Sequence, residues 1–339
     1  MRFKGLHGGD GRGSMRIDVV VNANARLHAT RPRLLDRMRR LCDGVATVHP
    51  TVTLAELEAT ARELAARGSD LVILSGGDGT YMASVTALAR AFGEDRLPRI
   101  GLVPGGTVAT VARNWGMAGE PAAVLGRLLR GRATLRDVTR PTLRVRGATG
   151  ASAADAAEER LGFIFGTGLV ASFFDVYYAE GARGYGGAAR IVARIFAESF
   201  WDGALARRVL DPMPCTLEVD GRQLAPEAWS LVCAAVVRDL GLHMLVTYRA
   251  GEDPARPHLV ASPLTSRSLG PRAPLVLAGR RIAGEGEGHF DDLVGELVVR
   301  FQGGAGGGGG AYVLDGDVLH AAQVRVSAGP VIRVVEMPG

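Results

Sequence analysis

Short apolar runs alternate with longer amphipathic stretches from Arg16 to about Asp137. An apolar run bounded by turn residues is typical of a buried strand, and apolar positions three or four residues apart are typical of a helix. Strict alternation of the two predicts a parallel sheet with helices on both faces. The strands are predicted at Ile17–Val21, Val45–His49, Leu71–Leu74 and Ile100–Val103, and the helices at Pro32–Leu41, Leu54–Arg67 and Thr80–Ala91.

The pattern changes after Asp137, where many short apolar runs are separated by turn signals. This predicts a mostly antiparallel β region, with helical insertions at Val170–Tyr178 and Ala188–Trp201. The predicted fold class is α/β, with a parallel-sheet domain over residues 16–137 and a β-rich, antiparallel domain over residues 138–339. The glycine-rich residues 1–14 are predicted to be a disordered tail, with Met15 as an alternative start.

The charged residues exclude several classes of protein. The formal charge of +5 over 339 residues is mild and its arginines are interspersed with acidic residues, so no nucleic-acid partner is indicated. Lys4 is the only lysine. This excludes a Walker A P-loop and a protein-kinase site, because each needs a lysine at the phosphates. Any nucleotide site must use backbone amides, hydroxyl groups, arginine and a metal ion.

The cysteines and the apolar segments indicate where in the cell the protein is expected. Cys42, Cys215 and Cys233 are scattered without a Cys-x-x-Cys pair, so neither a disulfide framework nor a zinc site is indicated. The longest apolar run, Leu231–Val237, is far shorter than the roughly 20 residues that span a bilayer. We expect no transmembrane segment and a cytoplasmic protein, either free or peripheral to the inner face of the membrane.

Two glycine-rich loops follow predicted strands. Gly76, Gly77 and Gly79 come directly after the strand Leu71–Leu74, and a helix begins near Thr80. Glycines let a backbone approach a ligand closely, and the amides and dipole of a helix N-terminus attract phosphate. Asp78 fits among phosphates if it holds Mg²⁺ through water or orients the nucleotide or an attacking hydroxyl. The alternative is a tight turn with an aspartate cap.

The second loop repeats this arrangement. Gly105, Gly106 and Thr107 follow the strand Ile100–Val103, and another helix comes after them. Loops at the ends of neighbouring strands flank one crevice, where open α/β sheets bind ligands.

The motifs together resemble the catalytic domain of the diacylglycerol kinase family, which includes bacterial lipid kinases and sphingosine kinase-like enzymes. Gly76–Thr80 resembles the family's GGDGT signature, related forms of which occur in NAD kinases and phosphofructokinases. Pro104–Arg113 resembles the P-x-G-T-x-N-x-x-A-R segment, and Val313–Asp317 resembles the C-terminal D-G-E motif. Ala109 stands at the usual Asn and Asp317 at the usual Glu.

The resemblance implies an NAD kinase- or diacylglycerol kinase-like fold, in which the last strand can return to the first domain. It also implies ATP and Mg²⁺ as cofactors. Asp315 is then the expected base for the acceptor hydroxyl, with Asp317 supporting it; the alternative for Asp315-Gly316 is a simple hairpin turn. The residues expected to contact nucleotide are Asn22, Thr51, Gly76, Gly77, Gly79, Thr80, Gly105, Gly106 and Thr107.

The expected acceptor is a lipid hydroxyl at a membrane surface, with diacylglycerol, a sphingoid base and phosphatidylglycerol all compatible. Apolar residues at helical spacing from Ile191 to Phe200 are expected either to line a cleft for acyl chains or to pack on their own domain. Two alternatives stay open: an NAD kinase-like enzyme with a soluble acceptor, and a catalytically weak nucleotide- or lipid-binding protein. The oligomeric state, for which a homodimer is one option, also stays open.

Overall fold

The computed structural model describes residues 15–31, 33–106, 108–148, 158–182, 184–282, 284, 288–302 and 309–337. The predicted tail over residues 1–14 and the candidate site residue Thr107 lie outside the described residues. Within the described part of the chain, none of the helices combines the length and apolar character needed to cross a bilayer.

The first sheet is built mostly of parallel strands. Their order is β2-β1-β3-β4-β19-β5, and only β5 runs antiparallel, to β19. The strands are β1 (Ile17–Asn22), β2 (Thr47–Thr51), β3 (Leu71–Gly76), β4 (Arg99–Pro104), β5 (Arg136–Arg140) and β19 (Ile332–Glu336). The helices that follow these strands are α1 (Arg26–Thr30), α2 (Arg33–Cys42), α3 (Leu54–Arg67), α4 (Asp78–Phe92), α5 (Thr110–Asn114) and α6 (Pro121–Arg130).

Local sequence explains these elements. β3 is buried along its whole length, as a strand covered on both faces should be. Helix α3 begins and ends where the sequence predicts. The Thr53 side chain accepts the Glu56 amide at 3.2 Å, and Gly68 ends the helix in the left-handed conformation with φ 68°.

The described residues outside this first sheet include two antiparallel sheets, ordered β10-β9-β15-β18-β6-β7, with β11 beside β9, and β14-β13-β12-β8-β16-β17. The first consists of β6 (Leu143–Ala148), β7 (Glu158–Gly162), β9 (Met213–Val219), β10 (Arg222–Gln223), β11 (Ala228–Trp229), β15 (Glu296–Phe301) and β18 (Gln323–Ala328). The second consists of β8 (Ile164–Gly168), β12 (Leu231–Ala235), β13 (His258–Ser262), β14 (Phe290–Leu293), β16 (Gly310–Leu314) and β17 (Asp317–Ala321). The predicted fold class, a parallel-sheet α/β part followed by an antiparallel β-rich part, is confirmed.

Where the structure describes this second part, it has five further α-helices: α7 (Leu169–Ala179), α8 (Gly184–Ser199), α9 (Ala204–Leu210), α10 (Ser266–Leu269) and α11 (Ala273–Leu277). Buried side chains from α7 to α11, such as Val176, Ile191 and Val276, form a hydrophobic cluster with residues of β12 and β13. This cluster is separate from the main core, which joins the parallel sheet to the antiparallel sheets.

The structure differs from the sequence prediction at one strand and at one predicted boundary. The run Gly162–Phe165 is divided at Phe163 between β7 and β8, which belong to different sheets, because the Phe163 and Ile164 amides bond to the side chain of Asp315. The expected boundary at Asp137 falls inside β5, which pairs with β19 in the first sheet.

Candidate active site

The two glycine loops lie side by side at the C-terminal ends of β3 and β4. The amides of Gly105 and Gly106 both donate to the carbonyl oxygen of Gly76, at 2.7 and 2.9 Å. A Cβ on Gly106 would overlap the Cα of Gly77, so this approach requires glycine. The Gly105 and Gly106 amides, expected to contact nucleotide, are therefore engaged in holding the loops together.

The first loop runs directly into α4. The first hydrogen bond of this helix joins the Tyr81 amide to the Gly77 carbonyl at 3.0 Å. The amides of Asp78, Gly79 and Thr80 precede it and so have no carbonyl partner within the helix. Positively polarised amides on a glycine loop beside a cleft suit a phosphate group.

The Asp78 carboxylate connects this loop to the second one. Its two oxygens accept the backbone amides of Thr110 and Val111, each at 2.9 Å, at the start of α5. Burial raises the pKa of Asp78 above its usual range, although these amides oppose the shift. The aspartate therefore joins the first loop to the start of α5 rather than capping α4, and it also lines the cleft.

Asn22 and Thr51 lie at the ends of β1 and β2, on the same cleft. The Asn22 side-chain amide donates to the Thr80 hydroxyl at 2.9 Å, and its oxygen accepts the Asn24 amide at 2.9 Å. Thr51 is buried, and its backbone carbonyl accepts the Ala23 amide at 2.9 Å. The structure thus brings the loop after β1 against the glycine loop.

The Asp315-Gly316 pair is the turn of the hairpin between β16 and β17. Asp315 has φ 50° and Gly316 has φ 92°, the positive values that a tight hairpin turn requires. The two Asp315 carboxylate oxygens accept the amides of Phe163 and Ile164 at 2.9 and 3.0 Å. Burial, together with the charges of Asp78 and Asp317, raises the pKa of Asp315 well above its usual range. Asp315-Gly316 is thus a hairpin turn, and this turn also lies on the cleft.

Asp317 occupies a different position from Asp315. Its carboxylate lies over Gly79, such that a Cβ on Gly79 would be 2.9 Å from Asp317 Oδ1. The residue is exposed overall, yet burial of part of its carboxyl group raises the pKa, which the Arg160 guanidinium opposes. Asp317 is therefore the C-terminal carboxylate that faces the first glycine loop.

The cleft continues into an apolar pocket among the helices of the second part. The combined cavity has a volume of about 910 Å³. Its polar end contains Gly79, Thr80 and Asp317, and its far end is lined mainly by apolar side chains. The apolar lining includes Leu169, Phe173, Tyr177, Val192, Ile195, Phe196, Val209, Leu210, Leu231, Met244, Val246, Leu269 and Val276.

Sequence reasoning missed three side chains of this site. Arg26 and Arg160 line the cleft, and Arg160 pairs with Glu158 at 2.8 Å. His28 is buried beneath the second loop, with Nε2 2.9 Å from the Ser75 hydroxyl, and burial lowers its pKa. Arg26 and His28 follow Asn22 closely in the sequence, but no periodicity distinguishes them from the rest of α1.

The chain can now be compared with known proteins. The sequence model of the diacylglycerol kinase catalytic domain matches residues 16–140. No curated protein sequence is significantly similar to the chain. A diacylglycerol kinase structure from Bacillus anthracis str. Sterne has a TM-score of 0.59 at 14% identity, covering 96% of this chain and 97% of that one.

The structure of yeast NADH kinase complexed with NADH has a TM-score of 0.51 at 11% identity, covering 96% of this chain and 85% of that one. At these identities the likeness establishes the fold, which both kinases share. Residues 16–140, with the glycine loops at their centre, match the model of the diacylglycerol kinase catalytic domain, and the chain as a whole shares its fold with kinases.

Proposed function

We propose that this protein transfers the γ-phosphoryl group of ATP to a hydroxyl group of a lipid. The observation that carries the proposal is the continuity of one cleft from the phosphate loop at Gly79 to a pocket lined by apolar side chains. An acyl chain placed in this pocket would be removed from water at little polar cost. The ribose and amide groups of a soluble dinucleotide would lose hydrogen bonds there, which argues against an NAD kinase-like acceptor.

The nucleotide phosphates are proposed to lie against the first turn of α4. Gly76, Gly77, Gly79 and Thr80 provide the close backbone approach, with Asn22 and Thr51 alongside. Gly105 and Gly106 are proposed to act through the shape of the loop, since their amides bond to Gly76. Arg26 lines the cleft and makes no ion pair within the described ranges, so it is positioned to offset phosphate charge.

The donor set fits Mg²⁺ carried by the nucleotide. Among the described residues, no group of three or more metal-binding side chains is preassembled. Mg²⁺ in kinase sites takes many of its oxygen ligands from phosphates and water, so one or two carboxylates suffice. Asp78, through water, would hold the ion, which when bound neutralises charge on the transferred phosphoryl group.

Asp317 is proposed as the base that takes the proton of the lipid hydroxyl. The sequence motif assigned this role to Asp315 with support from Asp317, but the contacts favour the reverse. Both Asp315 oxygens already accept backbone amides, whereas the Asp317 carboxylate faces Gly79. A raised pKa brings a carboxylate closer to the value of an effective base near neutral pH. Asp315 then acts by fixing the turn that carries Asp317.

The decisive experiment is a transfer assay with labelled ATP. A total lipid extract, NAD and fructose 6-phosphate serve as parallel acceptors. Labelling of a lipid that is lost in Asp317→Asn supports the proposal. Labelling of a soluble acceptor, with no lipid labelled, would refute it. If the protein binds ATP but transfers phosphate to none of these acceptors, the alternative of a catalytically weak nucleotide- or lipid-binding protein is supported instead.

A pair of variants tests the pocket itself. Ala188 lines the apolar pocket, whereas its neighbour Ala189 does not. Ala188→Phe should raise the KM for the lipid without changing the affinity for ATP, because the added ring fills space that the acyl chain needs. Ala189→Phe on the same helix is the matched control. Equal lipid KM values for the two variants would argue against acyl chains in this pocket.

A further inference from the structure

Three large apolar side chains are exposed beside the apolar pocket. Phe200 and Trp201, at the end of α8, are 61% and 65% exposed, and Leu277, at the end of α11, is 46% exposed. We call these three residues the apolar rim. An exposed aromatic pair is unusual on a protein surface unless it meets a partner.

The rim is continuous with the pocket. The Phe200 ring packs edge-on against Phe196 at 5.1 Å between centroids, and Phe196 lines the pocket. Leu277 directly follows Val276, which lines the same pocket from α11. Phe200 thus extends the pocket wall outward, Trp201 follows it in the sequence, and Leu277 is the sequence neighbour of a pocket residue.

The turn that carries the aromatic pair is held firmly. The amides of Phe200 and Trp201 bond to the carbonyls of Ala197 and Glu198 at 3.3 and 3.2 Å. Asp202, in the left-handed region at φ 59°, accepts the Ser266 hydroxyl at 2.5 Å. The exposure of Phe200 and Trp201 is therefore imposed by the backbone.

Unpaired arginines follow the rim residues in the sequence. Arg207 and Arg208 come after Trp201, and Arg280 comes after Leu277; none of the three forms an ion pair within the described residues, whereas Arg267 pairs with Asp202 and Arg281 with Asp291. Arg207, Arg208 and Arg280 are exposed. Aromatic side chains at the headgroup level, flanked by basic residues, are how proteins attach to the surface of an anionic bilayer.

We infer that the apolar rim docks on the surface of an anionic membrane, with the pocket opening toward the lipids. The inference rests on the proposed function, since it gives the route by which a lipid reaches the pocket without crossing water. Docking inserts Trp201 and Leu277 among the headgroups, while the arginines meet lipid phosphates.

The chain contains a built-in probe for this contact. It has three tryptophans, and Trp115 and Trp229 are buried, so a change of emission on adding vesicles reports on Trp201. Vesicles of phosphatidylglycerol and phosphatidylcholine should shift this emission to the blue and sediment the protein without ATP. Vesicles of pure phosphatidylcholine should bind the protein about tenfold more weakly. Added salt should weaken binding to the anionic vesicles, because it screens the arginines.

The test variant is Trp201→Ser/Leu277→Ser, and the control is Val331→Ser, which removes another exposed apolar side chain far along the chain. We expect the double variant to bind anionic vesicles about tenfold more weakly and the control to bind normally. On a short-chain lipid in detergent micelles, both should match the unaltered protein. Unchanged vesicle binding by the double variant would overturn the inference.

Two further outcomes separate this inference from the proposed function. Vesicle binding through the rim by a protein that phosphorylates no lipid would overturn the function and leave the docking surface standing. If the unaltered protein is instead a dimer that binds no vesicles, and the double variant is a monomer, the rim contacts a second copy of the chain. That result would also overturn membrane docking.

Discussion

The Asp317 carboxylate rests directly over the backbone of Gly79, where the absence of a side chain leaves room for it. Gly79 lies in the first turn of α4 and Asp317 begins β17, far apart in the sequence, yet a Cβ on Gly79 would be 2.9 Å from Asp317 Oδ1. This contact sets the position of the proposed base relative to the phosphate loop.

Gly79→Ala should therefore reduce turnover while leaving the fold intact. Gly79 does not have a positive φ, so alanine fits its backbone, but the added methyl group pushes the Asp317 carboxylate aside. A misplacement of this kind costs about 100-fold in rate. Steady-state kinetics and thermal unfolding on the same preparation check this. Full activity in a stable Gly79→Ala protein would show that the contact has no catalytic importance.

The two C-terminal aspartates should respond differently to the same substitution. Asp317→Asn should lower kcat by about 10²- to 10⁴-fold with little change in stability, because it removes a general base. Asp315→Asn should lower the free energy of unfolding by about 1–3 kcal/mol, because asparagine has one acceptor oxygen for two backbone amides. Asparagine tolerates a positive φ, so the turn itself is not strained. If Asp315→Asn is stable and inactive while Asp317→Asn is active, Asp315 is the base after all.

The packing between the glycine loops predicts a strong effect at Gly106. The methyl group of Gly106→Ala would overlap backbone atoms of Gly77, which have no freedom to move aside. We expect a loss of about 1–3 kcal/mol in stability and weaker ATP binding. Gly186→Ala is the control, since a Cβ there meets nothing within 4 Å, and it should be neutral or slightly stabilising. Calorimetry with and without ATP measures the stability and the ATP affinity of each variant. If Gly106→Ala is as stable as the control and binds ATP equally well, the described loop contact is contradicted.

Thr86 joins α4 to the antiparallel part of the molecule. Its hydroxyl oxygen accepts the Leu161 amide at 2.9 Å and lies 2.8 Å from the Met82 carbonyl, to which it donates. Thr86→Val keeps the volume but leaves the buried Leu161 amide without its partner, which should cost about 1–3 kcal/mol. Thr86→Ser retains the hydroxyl and is the matched control. Denaturant unfolding with equal midpoints for the two variants would exclude this hydrogen bond as a stabilising link.

His28 should make the stability depend on pH. Burial lowers its pKa in the folded protein, so below the unfolded value of about 6.5 the unfolded chain binds more protons than the native one. Above that pH, His28 therefore does not reduce the free energy of unfolding, and below it the free energy of unfolding declines as the pH falls. His28→Gln, which cannot titrate, should show a smaller decline between pH 7 and pH 5 in thermal unfolding. If the melting temperatures of the two proteins fall equally between pH 7 and pH 5, His28 does not contribute to the pH dependence of stability.

The sequence predicted the elements that depend on local pattern. The buried run Leu71–Leu74 and the capped helix Leu54–Arg67 appear as expected, because burial on both faces and capping are encoded within a few residues. The motif at Gly76–Thr80 lies within the region that the diacylglycerol kinase catalytic domain model matches. The lipid acceptor, the roles of single residues and the division into domains stay predictions.

Contacts between distant residues could not be predicted in the same way. Nothing in Asp315-Gly316-Asp317 itself indicates which carboxylate will accept the Phe163 and Ile164 amides, because that depends on β7 and β8 lying beside the hairpin. The amides of Gly105 and Gly106 look free in sequence, yet they face the carbonyl of Gly76. Such partners follow from strand order, which one sequence does not specify.

The position of β19 has a consequence for synthesis of the protein. This strand lies between β4 and β5, and β5 has no other neighbour in the sheet. A ribosome that has made residues 16–140 has therefore produced the glycine loops but not the strand that anchors β5. The nascent sheet stays open along one edge of β4 until Ile332–Glu336 emerge. We expect a fragment that ends before β19 to expose this unpaired edge and therefore to aggregate more readily than the full chain.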